Sequence, residues 1–220
     1  MPFLRLGEAL LEFASMSDDN IIHFNPWRDF NDAAILVEPE IDPDPAQIAI
    51  FLDLVFGYCD GLIPLRGLAD KGHDAGGKPN NVWIPADRSA LEKVMTFSAW
   101  AAREGAAVYV VPGTVAEAGQ ARSVDVLQMQ SVVVDLDAGN VVGMLEHLRL
   151  YLGEPTLIVQ SGGRTIDGID KLHVWWRLSE PAEGEAIARL CQLRFDIAAR
   201  VGGDLHFRSA HQPIRVAGTI

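Results

Sequence analysis

Two aspartates stand two residues apart in a short apolar strand, and this pattern constrains the fold more than any other feature of the chain. The segment is SVVVDLDAG, residues 131–139, in which three valines precede Asp135 and one leucine separates it from Asp137. Because strand side chains alternate between two faces, both carboxylates point to the same face. An apolar strand that ends in two parallel carboxylates belongs to a sheet whose edge opens to solvent or to a cation.

A third carboxylate is available further along the chain. Two like charges on one strand face repel each other unless a cation lies between them, and hard divalent ions prefer oxygen ligands. The pair alone is equally typical of a solvated strand end. Asp204 follows the two glycines of VGGD, directly after a long predicted helix. An aspartate in that position is often only a turn residue, but a loop that returned it to the strand would complete a two-metal site.

Segments of helix and strand type surround these aspartates in the order β-α-β-β-α-β. We predict strands at 131–139, 155–163, 171–178 and 212–220, with helices from Asn140 to Gly153 and over 183–201. This order is that of the ferredoxin-like and RNA-recognition (RRM) folds. Upstream we predict a helix from Pro45 to about Gly57, strands at 61–70 and 107–113, a glycine-rich loop at 71–81, a helix capped by Ser89 and ending at Gly105, and a polar connection over 113–126.

The predicted fold class is therefore mixed α/β (α+β). An N-terminal α/β half-module at 46–130 precedes an RRM-like palm at 131–220, and the active site is expected in the cleft between them. Residues 1–45 are acidic and interrupted by prolines, and we expect them to form an N-terminal extension.

Composition excludes several classes of function. The formal net charge is −12, but residues 1–60 carry twelve acidic and two basic side chains, so the remainder is nearly neutral and a polyanionic partner is not excluded. No apolar run is long enough to span a membrane, so we expect a cytoplasmic protein without a membrane partner. Cys59 and Cys191 lie far apart without a CxxC motif, which argues against a disulfide framework and a zinc site.

Several donors near the second and third palm strands are suited to binding phosphate. Ser161 and Gly162 belong to the segment SGG, and Lys171 and His173 belong to KLHVWW. Backbone amides and cations of this kind bind phosphate oxygens, although a strand histidine is more often a structural residue. Arg215 is isolated among apolar neighbours, so it must meet a carboxylate or a phosphate.

Taken together, VVVDLD, SGG with KLHVWW, and GGD with IRVAGT resemble the three motifs of the archaeo-eukaryotic primase superfamily. The most similar branch is the RepB-like primase-polymerases of plasmids and phages. In that family, a DxD or DxE on a strand precedes a Ser…His pair and then an acidic residue. Asp135 and Asp137 match the first motif, Ser161 and His173 the second, and Asp204 the third. The segment RTIDGID makes the turn between Ser161 and His173 longer than the compact pattern of the family.

The resemblance implies a DNA-directed nucleotidyltransferase that synthesises primers, extends them, or both, on single-stranded DNA in plasmid or phage replication. It implies that Asp135, Asp137 and Asp204 are the catalytic ligands of two Mg²⁺ or Mn²⁺ ions. It also implies that the incoming NTP or dNTP is bound by Ser161, Gly162, Lys171, His173 and Arg215.

Relatives commonly continue into a helicase domain. We therefore expect a replicative helicase, fused or separate, as a partner, and the chain itself to be truncated before such a region. Two alternatives stay open. One is a non-catalytic, single-stranded nucleic-acid-binding RRM-like module, and the other is a metal-dependent nuclease.

Overall fold

The computed structural model describes residues 21–22, 42–69 and 80–219. Its helices are α1 (Pro45–Phe56), α2 (Ala90–Arg103), α3 (Val141–Leu152) and α4 (Glu185–Val201). Its strands are β1 (Ile21–Ile22), β2 (Leu62–Ala69), β3 (Asn80–Pro85), β4 (Ala106–Val110), β5 (Thr114–Val115), β6 (Val126–Leu136), β7 (Leu157–Arg164), β8 (Asp170–Glu183) and β9 (Ile214–Arg215). The predicted mixed α/β class is confirmed. Most of the predicted acidic extension and of the predicted glycine-rich loop lies outside the described residues.

Local signals explain where the helices begin and end. The Asp44 side chain accepts hydrogen bonds from the first backbone amides of α1, and a proline occupies the first turn. Asn140 caps α3 in the same way and Gly153 ends it, as predicted. Ser89 is the N-cap residue of α2, as predicted, but its side chain makes no cap bond. Instead Ser89 donates to the carboxylate of Asp87 from both its backbone amide and its hydroxyl.

The strands form one sheet in the order β1-β7-β8-β6-β5-β2-β4-β9, with β3 paired to the free side of β2. The palm prediction is correct for β6, β7 and β8, which are antiparallel neighbours. The closing palm strand differs from the prediction, because β9 has only two residues and pairs with β4 instead of β6. The sequence patterns also missed β3, and β5 within the predicted polar connection, since both strands lack a clear apolar alternation.

Strand β8 is buried on both faces, which divides the apolar core into two clusters. Trp175 packs edge-on against Phe51 of α1, and Trp176 belongs to the cluster beneath α3 and α4. The first cluster contains residues from both predicted halves, so the palm and the N-terminal strands share it. None of the described helices has the length and apolar character needed to cross a membrane.

The two ends of the sheet approach each other. Strands β7 and β9 are far apart in the strand order, yet the Arg215 guanidinium on β9 donates to the Ser161 carbonyl on β7 at 3.2 Å. The sheet therefore curves, and this curvature brings the N-terminal half to the end of β6 that carries the aspartates.

Candidate active site

Asp135 and His173 face each other across β6 and β8 near the end of β6. They are direct cross-strand partners, and His173 Nε2 lies 3.8 Å from Asp135 Oδ1. Burial, followed by the charges of Asp137 and Asp204, raises the pKa of Asp135 to about 7. Burial, together with the charge of Arg215, lowers the pKa of His173 to about 4. The imidazole is therefore neutral at pH 7, and the two groups do not form an ion pair.

The glycines of VGGD bring Asp204 to β6. Gly202 ends α4 in a left-handed conformation, with φ of 87°, and the next residue passes close to β6. A Cβ at Gly203 would lie 2.9 Å from the carbonyl oxygen of Asp135, so only glycine fits there without a shift. The Asp204 amide then donates to that same carbonyl at 2.9 Å. Backbone contacts therefore place the third predicted carboxylate beside the first, as the sequence interpretation requires.

The three carboxylates are close in the fold but are not gathered around one point. Asp137 Oδ2 lies 4.0 Å from the Lys171 ammonium, and Asp204 Oδ1 is within 2.6 Å of His206 Nδ1. Within residues 42–69 and 80–219, no three His, Cys, Asp or Glu side chains form a group able to hold a metal ion. The assignment of Asp135, Asp137 and Asp204 as metal ligands stays a prediction.

The residues nevertheless fit a hard divalent cation in two respects. All three supply carboxylate oxygens, which Mg²⁺ and Mn²⁺ prefer, and Asp135 Oδ1 is buried without a hydrogen-bond partner. A cation would satisfy that oxygen and favour the charged carboxylate, against the burial and the neighbouring charges that raise the pKa of Asp135. Asp137 Oδ2 and Asp204 Oδ1 make the contacts with Lys171 and His206, so a cation could use the other oxygen of each carboxylate.

The SGG segment lies in β7, within the predicted strand, and forms a bulge there. The register shifts between Gln160, which pairs with Leu172, and Arg164, which pairs with Asp170. The three residues between Gln160 and Arg164 therefore lie opposite Lys171 alone, and Gly162 has a φ of 83° that suits glycine. The bulge brings Ser161 and Gly162 alongside Lys171, while the predicted long turn shortens to residues 165–169.

Arg215 does not meet a carboxylate within the described part of the chain. Besides its bond to the Ser161 carbonyl, its guanidinium lies 5.9 Å from the centre of the Tyr109 ring, and its Nε is buried without a partner. Of the two partners expected from sequence, the carboxylate is not observed among these residues, and contact with a phosphate stays a prediction.

Three buried polar atoms around this site have no hydrogen-bond partner in the part of the chain that the structure describes: Asp135 Oδ1, His173 Nδ1 and Arg215 Nε. Such atoms are rare because each one costs desolvation free energy. Sequence reasoning missed His206 and Tyr109, which contact Asp204 and Arg215. The spacing of Asp204 and His206 is a short-range capping signal, whereas only the register of β4 and β9 reveals Tyr109.

Comparison with known proteins supports these observations at the level of fold. No family model and no curated protein matches the chain. Among solved structures, the AEP domain of the cyanophage S-2L primase-polymerase (PrimPol) matches with a TM-score of 0.58 and 18% identity, over 80% of this chain and 83% of that one. This chain has an archaeo-eukaryotic-primase-type PrimPol fold. Primase RepB′ matches with a TM-score of 0.50 and 13% identity, over 78% of this chain and 50% of that one.

Proposed function

We propose that the protein is a DNA-directed nucleotidyltransferase of the primase-polymerase type. The observation that carries the proposal is the end of β6, where Asp135 is largely buried, faces a neutral histidine and has two further carboxylates nearby. A fold has no structural reason to bury a carboxylate among like charges, whereas a site for a cation and a polyphosphate does. The PrimPol fold makes nucleotide transfer the reaction that fits best.

The side chains divide the task between them. Asp135, Asp137 and Asp204 would hold the Mg²⁺ or Mn²⁺ ions, which when bound lower the pKa of the attacking hydroxyl and neutralise the triphosphate. The remaining groups would bind the nucleotide.

The β7 bulge offers Ser161 and the Gly162 backbone, and Lys171 lies opposite the bulge. Arg215 and His173 keep polar atoms free beside it. Donors held by strands in this way orient phosphates before the reaction begins. We propose residues 46–220 as the catalytic unit, because the first core cluster joins both of its halves.

The test is incorporation of labelled nucleotides on primed and unprimed single-stranded DNA with Mg²⁺ or Mn²⁺. We expect product from the wild type and none from the double variant Asp135→Asn, Asp137→Asn. The matched control is Asp167→Asn, which changes an exposed carboxylate in the β7–β8 turn and should leave incorporation unchanged. Equal incorporation by the double variant and the control would contradict the proposal.

The same preparations separate the two alternatives. Degradation of the DNA without added nucleotides, lost in the double variant, would identify a nuclease that uses the same carboxylates. Binding of single strands without product or degradation, equal in wild type and double variant, would identify a binding module.

A further inference from the structure

Four side chains from four neighbouring strands stand in register on one face of the N-terminal half. Arg66 on β2 pairs with Asn81 on β3 and with Tyr109 on β4, and Tyr109 pairs with Arg215 on β9. Directly paired residues of antiparallel strands share a face, so these four form a continuous line across the sheet. We call it the Arg–Tyr row. The alternating residues, such as Leu65 and Val108, point into the first core cluster.

The two arginines of the row have no carboxylate partner among the described residues. Arg66 makes one long hydrogen bond, of 3.4 Å, to the Ala121 carbonyl, and Arg215 keeps a buried Nε without a partner. Elsewhere in the chain, Arg122 and Arg177 each make two side-chain hydrogen bonds to one aspartate. Half-buried guanidinium groups without an anion favour an anionic ligand, because the ligand would replace the water they have lost.

Aromatic rings accompany these cations. Tyr109 lies between Arg66 and Arg215 in the row, and its ring is half-buried 5.9 Å from the Arg215 guanidinium. Trp83 is two residues from Asn81 on β3 and therefore on the same face, where its indole nitrogen donates to the Gln120 carbonyl at 2.6 Å. Cations interleaved with aromatic rings on a sheet are the set that binds single-stranded nucleic acid, through phosphates and base stacking.

The length and direction of the Arg–Tyr row indicate whether its ligand is a nucleic-acid strand or a single nucleotide. Three strand spacings separate Asn81 from Arg215, a distance of about 14 Å. That distance exceeds what a triphosphate bound at the β7 bulge would need. The row also runs away from the bulge, and of its four residues only Arg215 contacts the bulge. Its far end, Asn81, is exposed. A chain of several nucleotides fills such a surface, and one end of it then lies beside the candidate active site.

We propose that the Arg–Tyr row binds the single-stranded DNA template, with Arg66 on its phosphates and Tyr109 beneath a base. This inference rests on the proposed function, which identifies the bound nucleic acid as the DNA template. The row also extends the nucleotide site through Arg215, which would serve both the template surface and the incoming nucleotide.

Binding is tested without nucleotide or metal, by fluorescence anisotropy of a labelled 20-nucleotide single-stranded DNA over a salt series. We expect Arg66→Gln to weaken binding about tenfold and to reduce the slope of log affinity against log salt by about one, because one phosphate contact is lost. Tyr109→Leu should weaken binding about fivefold or more with the slope unchanged, since stacking is not ionic. Arg66→Lys should keep the slope.

The matched control is Arg103→Gln, an exposed arginine at the end of α2 in the same half of the protein, which should bind as the wild type does. Thermal unfolding checks that each variant is folded, and Tyr109→Ile, which also lacks an aromatic ring and suits a strand, replaces Tyr109→Leu if the latter is not. Unchanged DNA affinity in Arg66→Gln and in the folded Tyr109 variant would overturn the inference. An increase in the KM for nucleotide in these variants, with unchanged DNA affinity, would overturn it as well. Loss of DNA binding in these variants, with no incorporation even by the wild type, would support the row and refute the proposed function.

Discussion

Strand β6 carries buried polar side chains near its middle and near its C-terminal end, and their surroundings differ. Near the middle, Gln130 accepts a hydrogen bond from the Tyr58 amide and donates to the carbonyls of Asp53 and Leu54, which closes the end of α1. At the C-terminal end, Asp135 Oδ1 lies 3.8 Å from His173 Nε2, and the buried atoms Asp135 Oδ1 and His173 Nδ1 have no hydrogen-bond partner among the described residues. One strand thus holds a satisfied polar cluster and an unsatisfied one.

The difference separates polar groups that stabilise the fold from polar groups that destabilise it and are held in place by the surrounding core. A satisfied buried amide fixes a helix to a strand, whereas an unsatisfied carboxylate lowers the free energy of unfolding and persists only because the surrounding core holds it. A single unsatisfied atom is not enough to mark a site. Buried Arg194 also has two unpartnered nitrogens, but it lies alone against the Ser131 carbonyl. The β6 end differs because acid, imidazole and guanidinium groups converge there.

The largest effect we expect is on activity at the unsatisfied end. Asp135→Asn should reduce nucleotide incorporation about 10³-fold, the loss that follows removal of a group that stabilises transition-state charge. The variant should remain folded, because an amide of the same shape replaces a carboxylate that the fold does not use. Steady-state incorporation with circular dichroism of the same sample measures both. Activity within threefold of wild type would place Asp135 among the structural groups.

The opposite result is expected at the satisfied group near the middle of β6. Gln130→Ala should lower the free energy of unfolding by about 2 kcal/mol, because the Tyr58 amide and the Leu54 carbonyl each lose a hydrogen bond in a largely buried place, whereas the Asp53 carbonyl keeps its bonds from Gly57 and Arg177. Incorporation per folded molecule should change little. Urea unfolding measures the stability, and Gln192→Ala is the control, since Gln192 is exposed and bonds only to Asp196. A loss no larger than that of the control would show that water satisfies these groups instead.

The pH dependence of stability sharpens the comparison further. The folded pKa of Asp135 is about 7 against an ordinary 3.8, so the folded state prefers the protonated acid and is penalised as pH rises from about 4 to above 7. The stabilisation by Asp135→Asn should therefore be near zero at pH 4 and about 2 to 4 kcal/mol at pH 8. Urea unfolding in EDTA at both values measures it, and excess Mn²⁺ should reduce the gain at pH 8. A gain independent of pH would contradict the assigned pKa.

How much of the fold and of the candidate site could be predicted from sequence depends on how far apart in the chain the contacting residues lie. The DxD on β6, the caps of α3 and the glycines before Asp204 are local patterns, and each predicted its element or its backbone path. The pairing of β9 with β4, the β7 bulge and the alignment of Arg66 with Tyr109 depend on register between distant segments. Periodicity does not determine register, so these features appear only in the fold.

The smallest effect we expect concerns Asp204, a carboxylate that shares features of the satisfied and of the unsatisfied polar groups. Asp204 lies at the unsatisfied end of β6, but its Oδ1 accepts from the amide and the ring of His206, which is 78% exposed in its side chain. A cation that used this oxygen would have to compete with the imidazole. His206→Ala should therefore strengthen Mn²⁺ affinity about two- to threefold, a small change because exposed hydrogen bonds contribute little.

Titration calorimetry with Mn²⁺ alone measures this change without any turnover. His211→Ala is the control, because His211 bonds to Ser123 and Ser209 and touches none of the three carboxylates. A weaker affinity in His206→Ala would reverse the conclusion, since the imidazole would then orient Asp204 for the ion and Asp204 would act as a prepared ligand. The sign of the change in Mn²⁺ affinity therefore assigns Asp204 either to the satisfied or to the unsatisfied polar groups of β6.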